Sequence, residues 1–210
     1  MLVEVDGESG AVSLDAAGWE ALLAAHRGAE TAHPDAVLAV ASGRLDPALD
    51  AVAAPAATAS WVVAGPQVRL EHRAWVDQRT AALLLGVRDD RYRLLASHPA
   101  FLTAALVRTT RLRPHRQQQE TPTPFPSDRL PELVAADPEL RRRALTDAGA
   151  GFAWHLVGDG PAGQGALTAT AGDAGVCLAD TEQGLLRPAS NTTVYRLLST
   201  LLLALTEAAG

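Results

Sequence analysis

Apolar residues recur along this chain with two periods, and the switches between them mark out its elements. Residues 2–5, LVEV, alternate as a short strand. SLDAAGWEALLAAHRG, residues 13–28, has the helical period. Trp19, Leu22 and Leu23 share a face, Ser13 or Asp15 can cap the start, and Gly28 can end it. Residues 35–53 read as one or two short helices, broken at Ser42–Gly43 and restarted at Asp46–Pro47, where Pro suits the first helical turn. From about Ser60 the period drops to two. WVVAG, QVRLEHRAWVD, RTAALLLGV and RYRLLA are expected strands, with turns at Gly65–Pro66, Asp77–Gln78 and Asp89–Asp90.

Alternation within QVRLEHRAWVD separates two faces. Val68, Leu70, His72, Ala74 and Val76 point one way, and Arg69, Glu71, Arg73 and Trp75 the other. AALLLGV is apolar on both faces and is expected at the centre of a sheet. A helix follows, capped by Ser97 or His98, with Pro99 in its first turn and Phe101, Leu102, Ala105 and Leu106 as its buried stripe. Residues 113–127, RPHRQQQETPTPFPS, lack periodicity and are expected to be an extended, mobile linker. Helices are expected at 130–136 and at 138–147, the second started by Asp137–Pro138 and carrying Arg141, Arg142 and Arg143 on a solvated face.

Period two then returns in FAWHLV, GALTATA, GVCLADT and GLLRPA. A closing helix capped by Ser190 or Asn191 carries the stripe Val194, Leu197, Leu198, Leu201, Leu202 and Leu205. Residues 60–109 and 151–207 therefore repeat one order of elements, several antiparallel strands followed by an amphipathic helix. The expected fold is a single α+β domain over residues 1–210, a pseudo-two-fold pair of antiparallel β-meander-plus-helix units with flanking helices. Residues 1–112 are the first half, 113–127 the linker and 128–210 the second half.

Composition narrows the function more than the fold. The 210 residues are 48% hydrophobic with a net charge of -6, and every basic residue is an arginine. The acidic balance argues against a nucleic-acid binder and against a polybasic membrane-surface protein. The start of the chain has no basic, apolar signal pattern, and VYRLLSTLLLAL at 194–205 is too short to span a bilayer. No membrane insertion and a cytoplasmic location are expected. Cys177, the single cysteine, alternates into an apolar strand face as a small buried hydrophobe.

Chemistry-bearing patterns are weak. GDGPAG at 158–163 satisfies G-x-G-x-x-G, but a strand-like stretch follows it where a dinucleotide site needs a helix, so a hairpin loop is expected. The six histidines are scattered without metal-ligand spacing; His72 and His155 fall within strands. No catalytic residue, metal or cofactor is expected. Trp75 among Arg69 and Arg73 has the composition of a protein-recognition surface, and these three are the candidate partner contacts; the alternative for Trp75 is cover by a helix from the N-terminal segment.

Four stretches carry a family resemblance: SLDAAGWEALLAAHRG, GRLDPALDAVAAPAATASWVV, RTAALLLGVRDDRYRLLASHPAFLTAALVRTTRLRP and DTEQGLLRPASNTTVYRLLSTLLLAL. With them the chain resembles the EspG family, cytosolic chaperone-like proteins associated with type VII (ESX) secretion in actinobacteria. The resemblance implies a pseudo-two-fold α+β fold and a non-enzymatic role as chaperone or adaptor. Its partner would be a helical secreted protein, a PE/PPE-like pair or another ESX substrate. This chain is short for the family over residues 24–60. Two other readings stay open at this point. One is a homodimeric scaffold joined through sheet edges or the C-terminal helix. The other is a nucleotide-binding enzyme using the loop at 158–165.

Overall fold

The computed structural model describes residues 2–88, 90–112 and 120–206, with the side chains of residues 205 and 206 outside that description. Its strands are β1 (Val3–Val5), β2 (Val12–Leu14), β3 (Ala57–Ala64), β4 (Arg69–Val76), β5 (Ala81–Arg88), β6 (Arg91–Ser97), β7 (Thr123–Pro124), β8 (Phe152–Gly160), β9 (Gly163–Gly172), β10 (Gly175–Asp180) and β11 (Leu185–Ala189). Its α-helices are α1 (Ala16–His26), α2 (Pro34–Ala41), α3 (Asp46–Ala53), α4 (Leu102–Thr109), α5 (Pro138–Asp147) and α6 (Asn191–Thr206). All eleven strands form one sheet in the order β1-β2-β6-β5-β4-β3-β8-β9-β10-β11-β7. The paired strands are antiparallel throughout. Read outward from the central β3–β8 pair, each side is a four-strand meander closed by short strands from earlier in the chain, β2 and then β1 on the first side and β7 on the second. Helices pack on both faces of this antiparallel sheet, an α+β architecture.

One face is covered by α4 and α6. Leu102, Leu106, Val194, Leu198 and Leu202 pack there on Trp61, Leu83, Trp154 and Leu156. The other face carries two separate clusters. Trp19, Leu22, Leu45 and Leu49 of the N-terminal helices and their connections pack on Leu84 and Leu94 over the first meander. Phe125, Leu130, Leu133 and Leu145 pack on Ala153, Cys177 and Leu186 over the second. Leu83 and Leu84 thus point into opposite layers and are both buried, as expected for AALLLGV. Cys177 is a buried member of the second cluster, and burial raises its thiol pKa.

Caps settle several boundaries. Asp15 Oδ1 accepts from the Gly18 amide at 2.8 Å and starts α1, because Ser13 belongs to β2. His98 Nδ1 accepts from the Ala100 amide at 3.2 Å. Ser190 Oγ accepts from the Thr193 amide at 3.0 Å at the start of α6. Ser190→Ala is expected to lower stability by about 1 kcal/mol, read as a lower urea midpoint, with Ser190→Asp close to wild type. An equal loss in both variants would show that the cap is not what the serine supplies.

The structure corrects five local expectations. Phe101 is 63% exposed, because Pro99–Phe101 form a 3-10 turn and the α-helical phase begins only at Leu102. Leu197 is 42% exposed, at the flank of the α6 stripe. Val68 precedes β4 and is exposed. The helix expected at 130–136 is a 3-10 segment over Ser127–Val134 with Pro131 inside it; proline lacks the amide that an α-helical bond there would use. Arg141, expected in solvent, is buried. Of the expected linker, residues 113–119 lie outside the described residues. Thr123–Pro124 pairs with Leu185–Leu186 as an edge strand, a position proline tolerates, and Phe125 enters the core.

Candidate functional site

Between the two helical clusters the sheet has an uncovered floor, and cross-strand register says which side chains form it. On this face Trp75, Thr58, Asp159 and Gln164 make one row across β4, β3, β8 and β9. Arg73, Ser60, Val157 and Ala166 make the next, and Glu71, Val62, His155 and Thr168 the third. A fourth row, Arg69, Ala64, Ala153 and Thr170, runs under the Ser127–Val134 segment. Arg73, Ser60, Asp159, Gln164 and Ala166 are exposed, and Val157, Val62 and Thr58 half-buried.

Two hollows adjoin along this strip. One, of about 220 Å³, is lined by Thr58, Ser60, Arg73, Trp75, Val157 and Asp159. The other, of about 210 Å³, lies where Trp19 and Glu20 of α1 overhang Glu71, Arg73 and Tyr92. Arg73 is common to both. Trp19 stacks on Trp75 with ring centroids 5.5 Å apart, so α1 forms an aromatic bank along the strip. The opposite bank is the segment leading into α5.

The three residues singled out from the sequence share this face but differ in their surroundings. Arg73 is exposed and makes no hydrogen bond or ion pair among the described residues. Arg69 is engaged within the chain. Its Nε donates to the Val134 carbonyl at 2.8 Å and its Nη1 pairs with Glu71. Trp75 is half-buried under Trp19, the helix cover weighed above, and only its flank lines the first hollow. Sequence reading missed Val157, Ser60 and Ala166. Their signal was the same period-two alternation, but strand order was needed to place them beside Arg73.

His155 Nδ1 lies 2.8 Å from Thr168 Oγ1, and burial lowers its pKa, so the imidazole is neutral at pH 7. Among the described residues no group of three or more His, Cys, Asp or Glu side chains could hold a metal ion. GDGPAG is a hairpin: Gly160 pairs with Gly163, and Pro161–Ala162 form the turn between β8 and β9. No helix starts there to meet a pyrophosphate, which removes the structural basis of a nucleotide site at 158–165. No helix among the described residues is long and apolar enough to cross a membrane.

No family model matches the chain, and no curated protein matches its sequence. Among solved structures it is similar to the Mycobacterium tuberculosis type VII secretion system chaperone EspG5, determined in complex with a PE25–PPE41 dimer. The TM-score is 0.58 at 13% identity, over 93% of this chain and 96% of that one. A likeness at this identity is one of fold, over nearly the full length of both chains.

Proposed function

We propose that this chain is a cytoplasmic, non-catalytic chaperone or adaptor that holds a helical type VII secretion substrate, PE/PPE-like or another ESX client. The carrying observation is the uncovered strip of central sheet, banked by α1 on one side and the segment before α5 on the other, in a fold similar to that of a secretion chaperone. The strip suits a helix better than a small molecule. Its floor is shallow and mixes apolar Val62, Val157 and Ala166 with unpaired Arg73, and it has no converging set of buried polar groups. Arg73 would face an acidic residue of the client, and Val157 would sit under an apolar one. Arg69 supports the site from within the chain, and Trp75 shapes its wall.

Co-expression with helical PE/PPE-like secreted proteins, followed by co-purification, tests the reading. Arg73→Glu and Val157→Asp are each expected to weaken client binding about ten-fold or more at unchanged thermal midpoint, because both side chains lie at the centre of the strip. Full binding by both variants would remove this face as the site. The absence of any co-purifying client would remove the chaperone reading.

A further inference from the structure

We infer that the outer edge of β9 joins two copies of this chain through antiparallel β9–β9 pairing. β9 pairs with β10 only from Ala169 to Gly172, while Gly163–Thr168 enters the sheet through β8 alone. No other backbone hydrogen bond reaches Gly163–Thr168 among the described residues. The outward backbone donors and acceptors of this stretch therefore form an open template, and Gly163 to Ala166 are exposed or half-exposed.

The other edges of the sheet among the described residues are short or blunted. β1 has three residues and carries Glu4. β7 has two and contains Pro124. β11 beyond β7 contains Pro188. The stretch of β4 that corresponds to Gly163–Thr168 by position in its hairpin holds Arg69 and Glu71, which pair with each other, and β5 bulges opposite it between Gly86 and Arg88. β9, in contrast, reads GQGALTATAG, with no charge and no proline.

The chemistry of the edge selects a second copy. Antiparallel pairing of a strand with itself about a two-fold axis sets residue i against residue j of the partner and j against i, so an edge carrying charges of one sign repels itself. The stretch from Gly163 to Thr168 is neutral and does not. Glycines at 163 and 165 leave the backbone open to close approach. On the helix side of the sheet, Leu201 of α6 lies over Gly165. Leu197, one helical turn from Leu201 on the same flank of α6, is exposed, and the partner's α6 would cover it.

Sedimentation velocity of the full chain over a range of concentrations tests the inference. A monomer–dimer equilibrium is expected in the wild type. Gln164→Lys/Ala166→Lys, which sets lysines against lysines across the axis, is expected to weaken it at least ten-fold with the thermal midpoint unchanged, and Leu197→Ser to weaken it less. Hydrogen exchange at residues 163–168 should slow as wild-type concentration rises. A monomer at all concentrations overturns the inference, as does a dimer that the double-lysine variant leaves intact. Both outcomes leave client binding on the strip, measured with Arg73→Glu, independently readable.

Discussion

Arg141→Met is expected to lower stability by about 3 kcal/mol, while Arg142→Met and Arg143→Met, one and two residues along the same helix, stay within about 0.5 kcal/mol of wild type. Arg141 is 3% exposed. Its Nε donates to the Gly65 carbonyl at 2.8 Å, and its Nη1 donates to the carbonyls of Ala135 and Ala136. These acceptors belong to the β3–β4 turn and to the chain entering α5, so one guanidinium ties the second half of the chain to the first. Burial and nearby Arg69 lower its pKa, yet an arginine stays charged at any ordinary pH. Methionine fills similar volume but leaves three carbonyls without that donor. Among the described residues Arg142 and Arg143 pair only with exposed Glu139 on the same helix, an arrangement of small net worth. Urea unfolding of the three variants decides the matter. Equal midpoints would show that Arg141 is not the tie described.

The second large effect is a loss of stability in mild acid that traces to His72. The ring is 3% exposed, stacked on Trp61 with centroids 5.1 Å apart. Nδ1 accepts from the Gly86 amide at 3.1 Å, and Nε2 is buried with no hydrogen-bond partner among the described residues. Burial pushes the pKa down to about 4. The unfolded chain takes up this proton near pH 6.5, whereas the folded chain resists until about pH 4. The contribution is therefore complete above the unfolded pKa, falls as pH drops through that window and levels off below it. The loss across it is about 3 kcal/mol. His155, also lowered by burial, adds to the fall in the same direction. Asp15, held at about 2 by the Gly18 amide, acts in a different window, losing its contribution as pH drops from its ordinary value near 3.8 towards 2. Urea unfolding at pH 7.5 and 4.5 should show the drop in wild type and most of it absent in His72→Asn, whose amide oxygen can take the Gly86 amide without titrating. A drop of the same size in both would assign the acid sensitivity elsewhere.

A good part of the candidate strip was legible before the fold was known. Alternation in β4 put Arg69, Glu71, Arg73 and Trp75 on one face, and the register confirms that they share it. Alternation does not say what lies over a face. Arg69 and Arg73 are two arginines with equivalent positions in the pattern, yet one binds the Val134 carbonyl and the other meets solvent. That difference comes from where the segment after residue 126 crosses the sheet, a contact between residues more than sixty positions apart. Arg141 was misread for the same reason: among three consecutive arginines, only packing selects the one that turns inward. β2 was missed because its three residues run directly into the cap of α1.

The sequence by itself determined most of the segments that form strands and helices, that two halves repeat one order of elements, and that His72 and Cys177 face apolar layers. These follow from local periodicity and from the cost of burying polar backbone, both of which act within a few residues. Tertiary structure alone decided that β3 and β8 join the meanders into one sheet, that two helical clusters leave a strip between them, and that β9 outruns β10 and leaves an edge open. Each depends on register and strand length across partners far apart in the chain, where pairing energy is shared among many residues and no local pattern encodes the match.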